Sequence, residues 1–164
     1  MTEALINSIE INKNKKGFTV LDVPSNMFVN ALASFFKEKN IIKLPKWSSI
    51  VKCNRANEIE PLSPDYLYIK AAAISRYLYI NKSTTIGVGS LRTVLGKKMR
   101  RGSQPSKFSK AGGKTIREVI KQLKTAGYLE NYRPKEENIT YGLVLTKTGR
   151  TELDKIASKL MKKN

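Results

Sequence analysis

Histidine is missing from this 164-residue chain and cysteine occurs once, as Cys53. Without histidine no Ser–His or Cys–His nucleophile pair can be assembled. Zinc takes its ligands mostly from Cys and His, so a structural zinc built within the chain is not expected either. One cysteine cannot close an internal disulfide, which accords with a reducing compartment; Cys53 reads as a small filler. No apolar run of about 18 residues occurs. The opening MTEALINSIEINKNKKGF lacks the basic-then-apolar order of a secretory signal. The expectation is a soluble, intracellular protein without membrane association, cofactor or small-molecule substrate. Acids are the other scarcity: 13 Asp and Glu stand against 31 Lys and Arg, a formal net charge of +18.

What is present is a folding chain. With 40% apolar residues and 27% charged ones, the composition differs from that of a disordered polycation. The length suits one domain with a real core. A charge of this size repels itself in a compact body, so a polyanionic partner is implied. Nucleic acid leads, because neutralising phosphates releases counterions and turns each Lys or Arg into affinity. An anionic membrane surface and a merely soluble basic protein are the rivals.

Residues 1–17 are of mixed polarity and end in Lys13, Lys15, Lys16 and Gly17, so they read as an extension, with a single domain over 18–164. A helix is signalled from Asp22 as cap, with Pro24 in its first turn; Phe28, Ala31, Leu32 and Phe35 form its apolar face. A connector follows to Pro61, with a short helix around Trp47, whose ring either covers the core or stacks on a base. Ser63-Pro64-Asp65 starts the next helix, about 65–80, with Ser63 as cap. Leu67, Ala71, Ile74 and Leu78 make one face, and Ile69, Ala73 and Ile80 lie opposite. A helix apolar nearly all round is central and buried. Its basic side chains Lys70 and Arg76 must pair, snorkel or meet a phosphate.

The segment 86–114 is the most informative. It holds Arg92, Lys97, Lys98, Arg100, Arg101, Lys107, Lys110 and Lys114, and no acid. Glycines and Pro105 punctuate it, so it reads as an irregular basic loop, mobile in isolation and lying along phosphates when bound to RNA. Phe108 among these charges either stacks on an unpaired base or anchors the loop. Gly113-Lys114-Thr115 resembles the end of a nucleotide-hydrolase phosphate loop, but that pattern needs glycine where Phe108 stands, so it is set aside.

Ile116, Val119, Ile120 and Leu123 define a further helix whose polar side carries Lys114, Arg117, Lys121 and Lys124. Gly127 ends it. Tyr128–Arg133 and Ile139–Leu145 alternate around the turn-prone stretch 134–138 as a β-hairpin, and Thr146 caps a last helix with Leu153, Ile156, Ala157 and Leu160 inward. Residues 114–160 thus read as a winged-helix-like module in a mainly α fold with helices around a central buried one. Taken alone, that module suggests a DNA-binding regulator with a recognition helix in the major groove. An enzyme acting on RNA has little support, since Asp65 and Glu118 fit helix-terminal or surface pairing.

Several runs together resemble a family. Leu44-Pro45-Lys46-Trp47 with Val51-Lys52, Lys70-Ala71-Ala72-Ala73 with Arg76 and Leu78-Tyr79, Gly87-Val88-Gly89-Ser90 and Pro105-Ser106-Lys107-Phe108-Ser109 are similar to the e-type S-nineteen ribosomal proteins of the archaeal and eukaryotic small subunit. The likeness runs in order from about Leu21 to about Leu160. Tyr66 stands where that family usually has Trp, Tyr77 and Lys107 where His is common, and Asn81 where a basic residue is common. The resemblance implies a helical protein in the head of the small subunit, with no catalytic role. It further implies that the protein binds rRNA beside neighbouring ribosomal proteins and supports maturation of the particle. The implied setting is the cytoplasmic ribosome, and the nucleolus during assembly if the source is eukaryotic. The expected RNA contacts are Lys70, Arg76, Lys82 and Arg92; Lys97, Lys98, Arg100 and Arg101; Ser106, Lys107, Phe108 and Lys110; and Lys114 and Arg117.

Overall fold

The computed structural model describes residues 17–82, 85–132 and 142–163. The extension before Gly17 and the hairpin turn at 134–138 lie outside the described residues.

Helix α1 (Ser25–Glu38) begins once Phe28 N–H reaches Pro24 O, 3.0 Å away. Asp22 does not cap it. Its carboxylate accepts from Thr19 N–H (2.8 Å) and Thr19 Oγ1 (2.9 Å) instead, closing the turn that leads into the helix. The inward face is Phe28, Leu32, Ala33 and Phe36, a rotation from the expected one. Phe35 and Ala31 are half-buried at its margin, because Phe36 meets the ring of Tyr128 edge-on at 5.7 Å and fixes the angle. No helix forms around Trp47; residues 46–50 are turns, tied by Ser48 N–H to Pro45 O and Val51 N–H to Trp47 O.

Helix α2 (Tyr66–Ile80) is the centre of the protein. Ser63 does not cap it: its Oγ accepts from Asp65 N–H at 3.3 Å in the turn before the helix, the cap position falls at Asp65, and helical geometry sets in at Tyr66. Leu67, Ala71, Ile74 and Leu78 are all buried, and so are Tyr68, Ala72, Ser75 and Tyr79. The burial is not complete. Ile69 and Ile80 remain 39% and 40% exposed, which leaves one open strip on the helix. Helix α2 packs against α1, and α1 in turn against the last helix.

The segment expected to be an irregular loop is ordered. It forms a short helix α3 (Val88–Val94) and an antiparallel hairpin of β1 (Lys97–Arg101) and β2 (Gln104–Ser109). The two-residue loop carries Gly102 at φ +67° in its first central position, where the turn that suits strand twist demands a positive φ. Helix α4 (Gly113–Thr125) buries Ile116, Val119, Ile120 and Leu123, as its spacing predicts, packing against α2 and α3. It closes with Gly127 N–H on Lys124 O and Tyr128 N–H on Leu123 O.

Strands β3 (Leu129–Tyr132) and β4 (Gly142–Leu145) pair antiparallel, with Leu129 opposite Leu145. Ile86 joins β4 through a bridge to Leu143. The winged-helix-like arrangement therefore takes in α2, Ile86, α3, α4 and the β3–β4 wing, with the basic hairpin inserted between its second and third helices. Helix α5 (Lys147–Lys163) follows. Thr146 caps it, Oγ1 accepting from Gly149 N–H at 3.0 Å. Leu153 and Ala157 are fully buried, with Ile156 and Leu160 half-buried beside them. Tyrosine hydroxyls seal its inner margins: Tyr79 donates to Asp154 at 2.7 Å, and Tyr128 donates to Glu152.

Two outcomes follow for stability. Ile74→Ala should lower the unfolding free energy by about 2–5 kcal/mol in urea titrations, whereas Ile80→Ala, at the open strip, should cost about 1 kcal/mol. Burial, reinforced by Asp154, pushes the Tyr79 hydroxyl up to about 12, and burial raises Tyr128 likewise. The folded chain thus holds those protons after the unfolded chain has lost them. Stability should be insensitive to these groups below about pH 10 and fall between about 10 and 12, with a shallower fall in Tyr79→Phe.

Candidate nucleic-acid interface

Hairpin β1–β2 carries Lys97, Lys98, Arg100, Arg101 and Lys107 within 13 residues, and all five are exposed. Like charges directly opposite each other destabilise a sheet. The register avoids that: Lys97 faces Ser109, Lys98 faces Phe108, Met99 faces Lys107, and Arg101 faces Gln104. A bulge in β2 sets Pro105 and Ser106, both uncharged, against Arg100 between the Met99–Lys107 and Arg101–Gln104 pairs. Arg101 is also partly committed to the structure, since Nε and Nη2 donate to Pro105 O at 3.0 and 2.7 Å. Ser106 is exposed on β2 and Lys110 just beyond it. Phe108 settles between its two expected roles: its ring lies across Gly96, where a Cβ would collide with it, yet half of the residue remains exposed.

The base of the hairpin is held by a segment whose role the sequence does not betray. Gly112 N–H donates to Cys53 O at 2.9 Å, and Asn54 bridges to Ala111. The buried Asn54 side chain accepts from Ala56 N–H and donates to Ser109 O. From the other side Arg92 Nε donates to Ala111 O at 3.0 Å, while its own carbonyl accepts Ala111 N–H. These contacts place the hairpin at the N-terminal end of α4. There Arg92 and Arg117 converge over Gly113: an added Cβ would stand 3.0 Å from Arg117 Nη1 and 3.5 Å from Arg92 Cδ. Lys114 Nζ sits 4.7 Å above the Trp47 ring, a cation–π contact that accounts for Trp47 better than core filling does.

The remaining expected residues divide. Lys70 faces inward between α2 and α4, where Nζ donates to Thr115 Oγ1 at 3.0 Å and burial pushes its amine below the ordinary lysine value. Lys82 is exposed beyond the far end of α2, over the Tyr79 ring at 5.7 Å. Arg76 lines a cleft of about 210 Å³ with Ile80, Val94 and Leu95, and its buried Nε has no hydrogen-bond partner among the described residues. Arg92, Lys114 and Arg117 lie at the hairpin base, with Lys70 behind them beside Cys53 and Lys97; Arg76 lines its own cleft and Lys82 lies beyond the far end of α2. From residue 66 to residue 117 there is no Asp or Glu, so no carboxylate of this stretch offsets them.

This is a small, mainly helical protein of winged-helix-like build, with a cationic hairpin held rigidly on its surface. The family described as Ribosomal protein S19e matches residues 19–163. Small ribosomal subunit protein eS19 of Argopecten irradians is 37% identical over 147 residues, spanning 90% of this chain and 96% of that one. Protein eS19G of Ascaris suum is 37% identical, covering 88% and 93%, and eS19B of Schizosaccharomyces pombe 37% identical, covering 88% and 96%. The chain belongs to the ribosomal protein S19e family. It is accordingly a structural ribosomal component and not an enzyme.

Replacing Asn54 by Ala strips the clamp of its side-chain bonds and leaves a buried acceptor unmet. Stability should fall by about 1–3 kcal/mol, and amide hydrogen exchange across β1–β2 should quicken more than in α4.

Proposed function

We propose that this chain serves in the small ribosomal subunit by binding its rRNA along the surface made by β1–β2, Arg92, Lys114 and Arg117. It recognises folded RNA by shape and backbone charge rather than by base sequence. The observation that carries this is the hairpin itself: five exposed cations set in a register that prevents cross-strand like pairs, in a stretch of 52 residues without one acid. No carboxylate of that stretch offsets the surface, and closely spaced phosphates neutralise such a surface with release of counterions. Phe108, half exposed beside Lys98, offers a ring for an unstacked base. Arg76 adds a guanidinium beside an apolar cleft.

The names of the relatives support a place in the small subunit, and the family resemblance supports the head of that subunit and a part in its maturation. On this reading residues 18–164 act as one domain, neighbouring ribosomal proteins border it, and the setting is the cytoplasmic ribosome, or the nucleolus while particles are being built. The mechanism is stabilisation: strands of RNA that repel one another are held together by a rigid cationic wedge. The winged-helix-like half does not require DNA, because its densest charge lies on the inserted hairpin and not on the wing.

The test uses small-subunit rRNA and the full chain. Arg100→Gln with Lys107→Gln removes two exposed cations that hold no structural bond. The slope of log affinity against log salt should become shallower by about 1.5, with the melting curve unchanged, and incorporation into small subunits should fall in gradient sedimentation. Unaltered affinity and incorporation would remove the hairpin from the interface. Preference for duplex DNA over structured rRNA at physiological salt would favour a regulator instead.

A further inference from the structure

A second cationic surface lies on α5, outside every residue considered so far. The helix holds six Lys and Arg against two acids. At 3.6 residues per turn, Leu153 and Ala157 mark the buried side that packs on α1. Lys155, Lys159 and Lys162 fall roughly opposite, and Lys147 continues their four-residue ridge about a quarter-turn from the buried side; all four are exposed. They make a stripe about 22 Å long, with the hydroxyls of Thr151 and Ser158 between them. Glu152 is turned to Tyr128; Asp154 accepts from Tyr79 and also borders the shallow pocket lined by Thr151, Lys155, Ser158, Lys159 and Lys162, so one carboxylate stands at the edge of the stripe.

An ordinary solvated helix interleaves opposite charges at four-residue spacing. Here Lys155 and Lys159 are like charges at that spacing. The helix dipole favours cations only in the last turn; it disfavours Lys147, and no acid occupies the first turn. The dipole accounts for Lys162 in the last turn, but not for Lys147, Lys155 and Lys159. Moreover, α5 packs on α1, whereas the hairpin springs from the junction of α3 and α4. The two cationic surfaces belong to different parts of the fold.

The geometry points to the outer face of α5 as a second phosphate-backbone site, so that one chain ties together two separate segments of RNA. This rests on the rRNA-binding reading above and adds a second contact to it. Lysines suit such a site because flexible point charges follow a phosphate backbone without demanding a base.

The experiment compares the full chain with a variant in which these four lysines become Gln, alongside the hairpin variant, each titrated with small-subunit rRNA. The four-lysine variant should bind with a salt slope shallower by about 3 and an unchanged melting curve. A photo-crosslinking p-benzoylphenylalanine at position 155 should label an rRNA segment different from that labelled from position 107. Labelling from 107 but not 155, with an unchanged slope in the four-lysine variant, overturns the second site and leaves the hairpin reading standing. Labelling by neither overturns both. Retained rRNA affinity with lost binding to phosphatidylserine vesicles would assign the stripe to a lipid surface and overturn the RNA site.

Discussion

Five cations on one short hairpin repel each other, and everything distinctive in this protein follows from how that repulsion is contained. The register sets a neutral residue opposite each paired cation, and the bulge sets the uncharged Pro105 and Ser106 against Arg100. Arg101 turns its guanidinium back onto the Pro105 carbonyl, spending part of its charge on the turn that bears it. At the base, Cys53, Asn54 and Arg92 fasten Ala111 and Gly112 to the helical body. Without those fastenings a two-stranded ribbon of this composition would be marginal in water.

A hairpin already folded loses little further entropy on meeting RNA, whereas a loop that had to order itself would give up part of its affinity in doing so. The anchoring at Ala111 is thus as relevant to binding as the cations are. The same economy shows at α4: Gly113 has no side chain, so Arg92 and Arg117 can close over the helix end, where free amide hydrogens add to their positive field.

Much of the body was legible in the residues. The 3.6-residue spacing in α2 and α4 gave the right buried positions, and the Gly127 and Thr146 signals marked real boundaries, because caps and amphipathic stripes are local properties; the Ser63 signal fell two residues early, since the cap position is Asp65. Adjacent Phe35 and Phe36 both fit a helical stripe, and only the distant ring of Tyr128 decides between them. The β1–β2 hairpin escaped notice because neither strand buries a face, so no alternation of apolar and polar residues betrays it. Asn54 was equally invisible: its partners lie 55 or more residues onward at Ser109 and Ala111. Charge marked the stretch that folds as the cationic hairpin, but could not separate Lys70, turned inward onto Thr115, from the cations left in solvent.

The acid-free run from Tyr66 to Arg117 has a further consequence, for encounter rather than for the complex. Within the run that forms the hairpin no carboxylate offsets the cations, so the field over that surface is positive. In salt such a field reaches only about 8 Å, yet within that shell it exerts a pull on the approaching domain. A molecule arriving with the hairpin towards a phosphate backbone would thereby be drawn onto it before any atom touches.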